Sequence, residues 1–351
     1  MATSRFSELS LGAQTAYAEI FERARAFELD NALAGLPGGF HVLERKGRKY
    51  WYFSYREPGG ERTRVVYIGP DNAQVGALVD RFKSNRQPKG LAPQASAAIS
   101  LGCATLASKH FRILKRLAEY GLFRAGGVLV GTHAFLSLGN LLGVRWNDGA
   151  TTLDVDLTHA GRNVSVALPA DLRIDTHAAL ESLEMGLLPI TELDGQIGAQ
   201  YRNPADEELR VDFLTSRTRS GKPVKMPELN IVLEPLKFME FSLEGTTQGC
   251  LIARGGACTV NLPAPERYAV HKLIVYGERP LRERTKATKD LFQAAALASY
   301  FAATDRPAVF NIAWRDAWDR GRGWRARARE GRQALLRIAP ELDIPALRST
   351  R

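Results

Sequence analysis

Residues 126–160 read GGVLVGTHAFLSLGNLLGVRWNDGATTLDVDLTHA. The run opens on Val128-Leu129-Val130, a short apolar segment next to glycines, which predicts a buried strand. Gly131 and Thr132 break it. From His133 to Leu142 the apolar residues fall at helical spacing, and Gly143 stands where such a helix would stop. The segment closes on Leu153-Asp154-Val155-Asp156-Leu157. Side chains alternate across a strand, so Asp154 and Asp156 share one face while Leu153, Val155 and Leu157 enter the core.

Two carboxylates held side by side repel unless positive charge sits between them. A hard divalent cation such as Mg²⁺ satisfies them, because it takes oxygen ligands and brings substrate phosphates with it. A third carboxylate on a neighbouring strand would complete a two-metal site. Leu209-Arg210-Val211-Asp212-Phe213-Leu214 offers one, with Val211 and Phe213 facing one way and Asp212 the other. The competing reading leaves Asp154 and Asp156 on a solvent-facing edge strand.

The order of strand, Gly-Thr, helix, Asp-x-Asp strand and later single-Asp strand resembles the nucleotidyltransferase fold of the polymerase beta superfamily. The chain is most similar to a bacterial branch related to the abortive-infection nucleotidyltransferase toxins, from Ser96 to Phe301. Two departures stand out. Thr132 occupies a place where Ser or Gly is usual. The connection from Gly131 to Asp154 is longer than in minimal members, with Arg145 to Thr151 as the insertion. The resemblance implies transfer of a nucleoside monophosphate from an NTP to an acceptor hydroxyl, with Mg²⁺ (or Mn²⁺) as cofactor. It assigns Asp154 and Asp156 to both metal ions. Asp212 would bind the catalytic ion and help deprotonate the acceptor. Gly131 and Thr132 would admit backbone N–H groups and a hydroxyl to the β- and γ-phosphates.

A second constellation lies in YAVHKLIVYGERPLRERTKATKDLFQAAALASY, residues 268–300. By the same resemblance Lys272 contacts the triphosphate, Arg284 and Lys289 line the nucleotide pocket, and Asp290 either orients a basic residue or contacts the acceptor. Fixed cations are needed because pyrophosphate leaves more easily when its developing charge is neutralised. The plainer alternative is a solvated, charged helix pair.

The chain has 351 residues, enough for two or three domains. It is 45% hydrophobic and 25% charged, as soluble globular proteins are, and its net charge of +10 favours a polyanionic partner. That partner is either nucleic acid or nucleotide phosphates; RNA, a tRNA included, or DNA is the favoured acceptor, with a protein or small-molecule acceptor also open. Three cysteines fit no zinc spacing and predict reduced thiols. No signal peptide and no apolar run of membrane-spanning length is found, so no membrane partner and a cytoplasmic location are expected. No P-loop, zinc-ligand spacing or Gly-x-Ser-x-Gly elbow occurs.

Working outward, Ser7 to Leu33 predicts a helix. Phe40 to Gly69 predicts a three-stranded meander dense in aromatic and basic residues, a composition suited to nucleic acid. It is similar to the small sheet of tyrosine recombinase arm-binding domains; the alternative is a packing hairpin with a solvated basic face. Gln87 to Ser96 reads as a linker, Ala97 to Phe123 as a helix, Arg217 to Pro227 as a basic loop, and Glu244 to Val260 as a hairpin. An Arg-rich run surrounds Trp324, either a phosphate-holding surface or a solvated helix face. The expected class is α/β (α+β): a nucleotidyltransferase-like mixed sheet flanked by helices. The expected division is a β-rich N-terminal module at 1–95, a nucleotidyltransferase core at 96–260 and a helical region at 261–351. A toxin-like role with an antitoxin-like partner follows from the kinship. The rival from another class is a nucleic-acid-binding protein on the same scaffold with no transfer activity.

Overall fold

The computed structural model describes residues 4–34, 38–56, 63–83, 90–148, 154–160, 174–191, 197–217, 220–280 and 283–348. In chain order it forms β1 (Phe6–Glu8), α1 (Leu11–Ala34), β2 (Gly38–Arg45), β3 (Arg48–Arg56), β4 (Thr63–Pro70), α2 (Ala73–Lys83), α3 (Ala92–Ser100) and α4 (Ser108–Glu119). There follow β5 (Val128–Leu129), α5 (Gly131–Leu142), β6 (Val144–Trp146), β7 (Asp154–Thr158), α6 (Thr176–Glu181), β8 (Leu188–Thr191), β9 (Ile197–Asn203) and β10 (Asp206–Ser216). The chain continues through β11 (Val224–Met226), β12 (Ile231–Leu236), α7 (Glu240–Leu243), β13 (Thr246–Ala253) and β14 (Gly256–Pro263). Helices α8 (Pro265–Glu278), α9 (Arg284–Ala303), α10 (Pro307–Asp319), α11 (Arg322–Ile338) and α12 (Pro345–Arg348) complete it.

The fold is mixed α/β, as expected. Its central sheet runs β11-β12-β10-β7-β5, with β9 beside the first half of β10 and β8 beside β9. Strands β7 and β10 are parallel, as are β10 and β12, while β5 runs antiparallel to β7. One face of the central pair is wholly apolar: Val155, Leu157, Val211 and Phe213 are buried. This leaves the other face to the polar positions of both strands. Leu153 lies outside the described residues.

Helix α5 follows β5 as the spacing predicts, but it begins at Gly131 itself and ends at Gly143 in the left-handed region (φ 73°). The expected insertion after it holds β6, which pairs antiparallel with β1 and ties the N-terminal residues to the core. Trp146 anchors it: the indole donates to the Phe135 carbonyl at 2.7 Å and stacks on that ring. Helices α1 and α3 pack with the β13–β14 hairpin, where the Tyr17 hydroxyl accepts the Cys250 amide N–H at 3.0 Å. Cys103, Cys250 and Cys258 are all buried free thiols.

Several boundaries differ from the sequence reading. Ala92 to Ser96, taken as linker, starts α3 with Pro93 in its first turn, where the missing N–H costs nothing. The helix expected from Ala97 to Phe123 is two helices, α3 and α4. The basic loop after β10 contains β11, paired antiparallel with β12. The Arg-rich run divides: Arg322, Arg325 and Arg329 are exposed, while Arg320, Arg327 and Arg332 are partly buried and engaged by the protein. Arg320 pairs with Asp316 and Glu244 and lies over Phe241 and Trp324. Arg327 pairs with Glu278, and Arg332 donates to the Leu347 carbonyl. Among the described residues no helix is long and apolar enough to cross a membrane.

Helices α8 and α11 touch backbone to backbone through two glycines. A Cβ on Gly331 would fall 2.2 Å from the Leu273 carbonyl oxygen, and one on Gly277 2.6 Å from the Arg327 carbonyl oxygen. Backbone atoms cannot move aside as a side chain can. Gly331→Ala is therefore expected to cost about 1–3 kcal/mol and lower the melting temperature. Gly323→Ala, on the same helix with nothing near its Cβ position, should be neutral or slightly stabilising. Thermal unfolding of the two variants checks this.

Candidate active site

Period-two alternation places Asp154 and Asp156 on the polar face of β7 and Arg210 and Asp212 on that of β10. The parallel register makes Asp212 the direct partner of Asp156, and Arg210 that of Asp154. Three carboxylates and one guanidinium thus share one patch of the sheet. Crowding by protein, with the negative charges of Asp212 and Asp154, pushes the Asp156 carboxyl up to about 6 against the opposing pull of Lys272 and Lys289. Burial also raises Asp212, and Asp154 adds to it, while Arg210 opposes.

Arg210 is the local counter-charge. Its guanidinium grips Asp212 bidentately, Nε at 2.9 Å and Nη2 at 2.7 Å. The three acids together outweigh burial and hold Arg210 more firmly protonated. The sequence reading missed Arg210, although its spacing of two from Asp212 was the available signal.

Gly131 closes the floor of the site. Its φ is 65°, and a Cβ there would fall 2.1 Å from Asp156 Oδ2. The first turn of α5 accordingly abuts the carboxylate, and the Val130 N–H donates to the Asp156 carbonyl at 3.0 Å. No side chain caps α5, so its N–H groups and positive end face this patch. Thr132 is placed differently from the expectation. It is buried and its hydroxyl lies 3.2 Å from Gln293 Nε2, engaged by the interior rather than offered to a phosphate. Gln293 also lies 2.8 Å from the Tyr268 hydroxyl, which sits 2.9 Å from the Gly131 carbonyl. Gln293 Nε2 donates to the Thr132 hydroxyl, and the single Tyr268 hydroxyl proton is shared between Gln293 Oε1 and the Gly131 carbonyl.

Opposite the carboxylates stand α8 and α9. Lys272 Nζ lies 2.6 Å from Asp290 Oδ1, and Arg279 Nε 2.6 Å from Asp290 Oδ2. Arg279 also donates to Glu283 at 2.9 Å. Burial alone would raise the Asp290 carboxyl; Lys272 and Arg279 overcome it and hold Asp290 below the usual range. Both carboxylate oxygens of Asp290 are thus engaged by cations, Lys272 on one and Arg279 on the other. Lys289 is half-buried, and desolvation and neighbouring Lys272 depress its pKa, while Asp156 opposes. The Arg284 side chain lies outside the described residues; its backbone opens α9. Arg279, Tyr268 and Gln293 were not singled out from the sequence. Arg279 sits in the Gly-Glu-Arg-Pro break, and the other two carry no charge pattern.

Among the described residues no three His, Cys, Asp or Glu side chains are placed together so as to hold a metal ion. The donor set nevertheless fits a hard divalent cation in kind: carboxylate oxygens on one face, with Asp156 raised by burial and by its acidic neighbours. Arg210 holds Asp212 where a cation would otherwise compete for it.

The sequence model of a family described as nucleotidyltransferase matches residues 108–319, from the first residue of α4 to the last of α10. The chain belongs to that family. No curated protein and no solved structure matches it.

Two outcomes are expected. Asp156→Asn removes a charge the site opposes, so the metal-free variant should melt about 2–4 °C higher while losing any stabilisation by Mg²⁺. Arg210→Gln releases Asp212 and removes a like charge from the cation's surroundings. It should bind Mn²⁺ roughly tenfold tighter in a calorimetric titration.

Proposed function

We propose that this nucleotidyltransferase moves a nucleoside monophosphate from an NTP to a hydroxyl of nucleic acid, with RNA or a tRNA the favoured acceptor. The observation that carries the reading is the juxtaposition of Asp156 and Asp212 across two parallel strands, facing Lys272 and Lys289. A divalent cation, Mg²⁺ (or Mn²⁺), held by Asp154, Asp156 and Asp212 would neutralise phosphate charge and make the acceptor hydroxyl a better nucleophile. Lys272 and Lys289 steady the triphosphate. Asp290, itself fixed by Arg279, keeps the Lys272 ammonium aimed at the site. Asp212, whose proton affinity burial raises, accepts the hydroxyl proton. The acceptor oxygen then bonds to the α-phosphorus, the bond to the bridging oxygen breaks, and pyrophosphate leaves as the two lysines neutralise it.

Membership of the polymerase beta superfamily, kinship with abortive-infection toxins, an antitoxin-like partner and a cytoplasmic location belong to this proposal; the first three rest on the sequence resemblance, and the location on the cysteines and the sequence pattern. A binder without transfer activity would gain nothing from three carboxylates clustered beside a phosphate backbone, since they repel what it must hold.

The test supplies each of the four α-labelled NTPs with Mg²⁺ or Mn²⁺ and total RNA. Label is expected on RNA with the wild-type protein and at background with Asp154→Ala/Asp156→Ala. No label in any arm, with RNA still shifted on a gel and held more tightly by the double variant, would replace the transferase by the binder.

A further inference from the structure

The meander β2-β3-β4 is antiparallel throughout. Its first turn is Lys46-Gly47, both at positive φ (52° and 71°), the two-residue geometry that continues strand twist. Cross-strand register sorts its aromatic residues by type. Phe40, Trp51 and Phe53 share one face and contact one another, with ring centroids 4.8 Å apart for Phe40–Phe53 and 6.4 Å for Phe40–Trp51. On that face Phe53 is buried, as is Val79 of α2, while Val42 and Val66 remain exposed at 37% and 45%. The opposite face carries His41, Tyr50, Tyr52 and Tyr67, with Arg45 and Arg48 paired at its end. Tyr67 lies 5.4 Å from Tyr52 and 6.2 Å from Tyr50, and His41 stacks on Tyr52 at 5.9 Å.

That second face is exposed at its two arginines and at Tyr67 (54%), Val65 (56%) and Leu43 (41%), with His41, Tyr50 and Tyr52 partly buried beside them. Phe40 and Phe53 lie on the other face with Trp51, whose indole donates to Asp71 at 2.9 Å, while this face carries rings with polar tips and two arginines beside Leu43 and Val65. Flat aromatic surface beside fixed cations suits a base with its phosphate. It suits only unstacked bases, because a duplex covers each base face with its neighbours. Ser54, on the same face with its Oγ 3.3 Å from His41 Nδ1, and the tyrosine hydroxyls supply groups that can pair with a ribose 2′-hydroxyl.

We propose that this face binds single-stranded RNA, stacking bases on Tyr52 and Tyr67 and holding phosphates with Arg45 and Arg48. Calling that RNA the acceptor strand rests on the transfer reading above; the binding itself does not.

The experiment is fluorescence anisotropy of labelled 8-mer RNA, with DNA of the same sequence and an RNA duplex as comparison probes. The full chain is used in EDTA without NTP, so transfer plays no part and its failure would not affect the result. Single-stranded RNA should bind tightest. Tyr67→Ala and Tyr52→Ala should each weaken it about tenfold, Tyr67→Trp should retain it, and Val66→Ala on the opposite face should leave it unchanged. Arg45→Ala/Arg48→Ala should lower the slope of log affinity against log salt by roughly 1.4. Binding that survives both tyrosine variants, or equal or tighter binding of DNA or duplex, overturns the proposal, as does no binding at all.

Discussion

Like charges forced together are the constraint on which the rest of this molecule turns. The parallel register of β7 and β10 sets Asp156 directly beside Asp212, with Asp154 one alternation away. Nothing in the hydrophobic core asks for this, since the opposite face of the same strands is wholly apolar. The arrangement persists because cations are delivered from three directions: Arg210 from within the sheet, Lys272 from α8 and Lys289 from α9. The remaining architecture holds those deliveries in place. Asp290 anchors Lys272, Arg279 anchors Asp290, and the glycine contacts of α8 with α11 fix the helix that carries Lys272 and adjoins Arg279.

The chain's positive charge reads differently once its arginines are placed. Arg267, Arg320 and Arg327 are engaged by Asp316, Glu244 and Glu278 and lie against Phe241, Trp324 and Phe238. Guanidinium groups suit this work because they can pair with a carboxylate edge-on while their faces cover a ring. The C-terminal helices are thus bound to one another by residues whose composition alone suggested an external anion. The exposed cations of the small sheet stand on aromatic ground that no element of the described residues covers extensively.

What was legible in the sequence was whatever periodicity or a special residue encodes locally. Alternation gave the two faces of β7 and β10, Gly143 ended α5 on time, and Lys46-Gly47 turned the meander. What was not legible depends on distant partners. Thr132 looked available to a ligand until Gln293, from a helix far along the chain, proved to engage its hydroxyl. Arg210 stood in plain view beside Asp212, but only the register opposite Asp154 shows how many acids it serves. The packing of α1 on the β13–β14 hairpin rests on Tyr17 and Cys250, which no local pattern links.

Gly131 carries a genetic consequence. Glycine is encoded by a family of codons in which every missense change adds a Cβ, and at this position that atom would land on Asp156. A single nucleotide can therefore displace the Asp156 carboxylate while leaving all three acids and every lysine in the sequence. Two gene copies that agree at each charged position need not present the same arrangement of carboxylates, so a survey of such genes that inspects only their acidic residues overlooks the glycine that gives Asp156 its room.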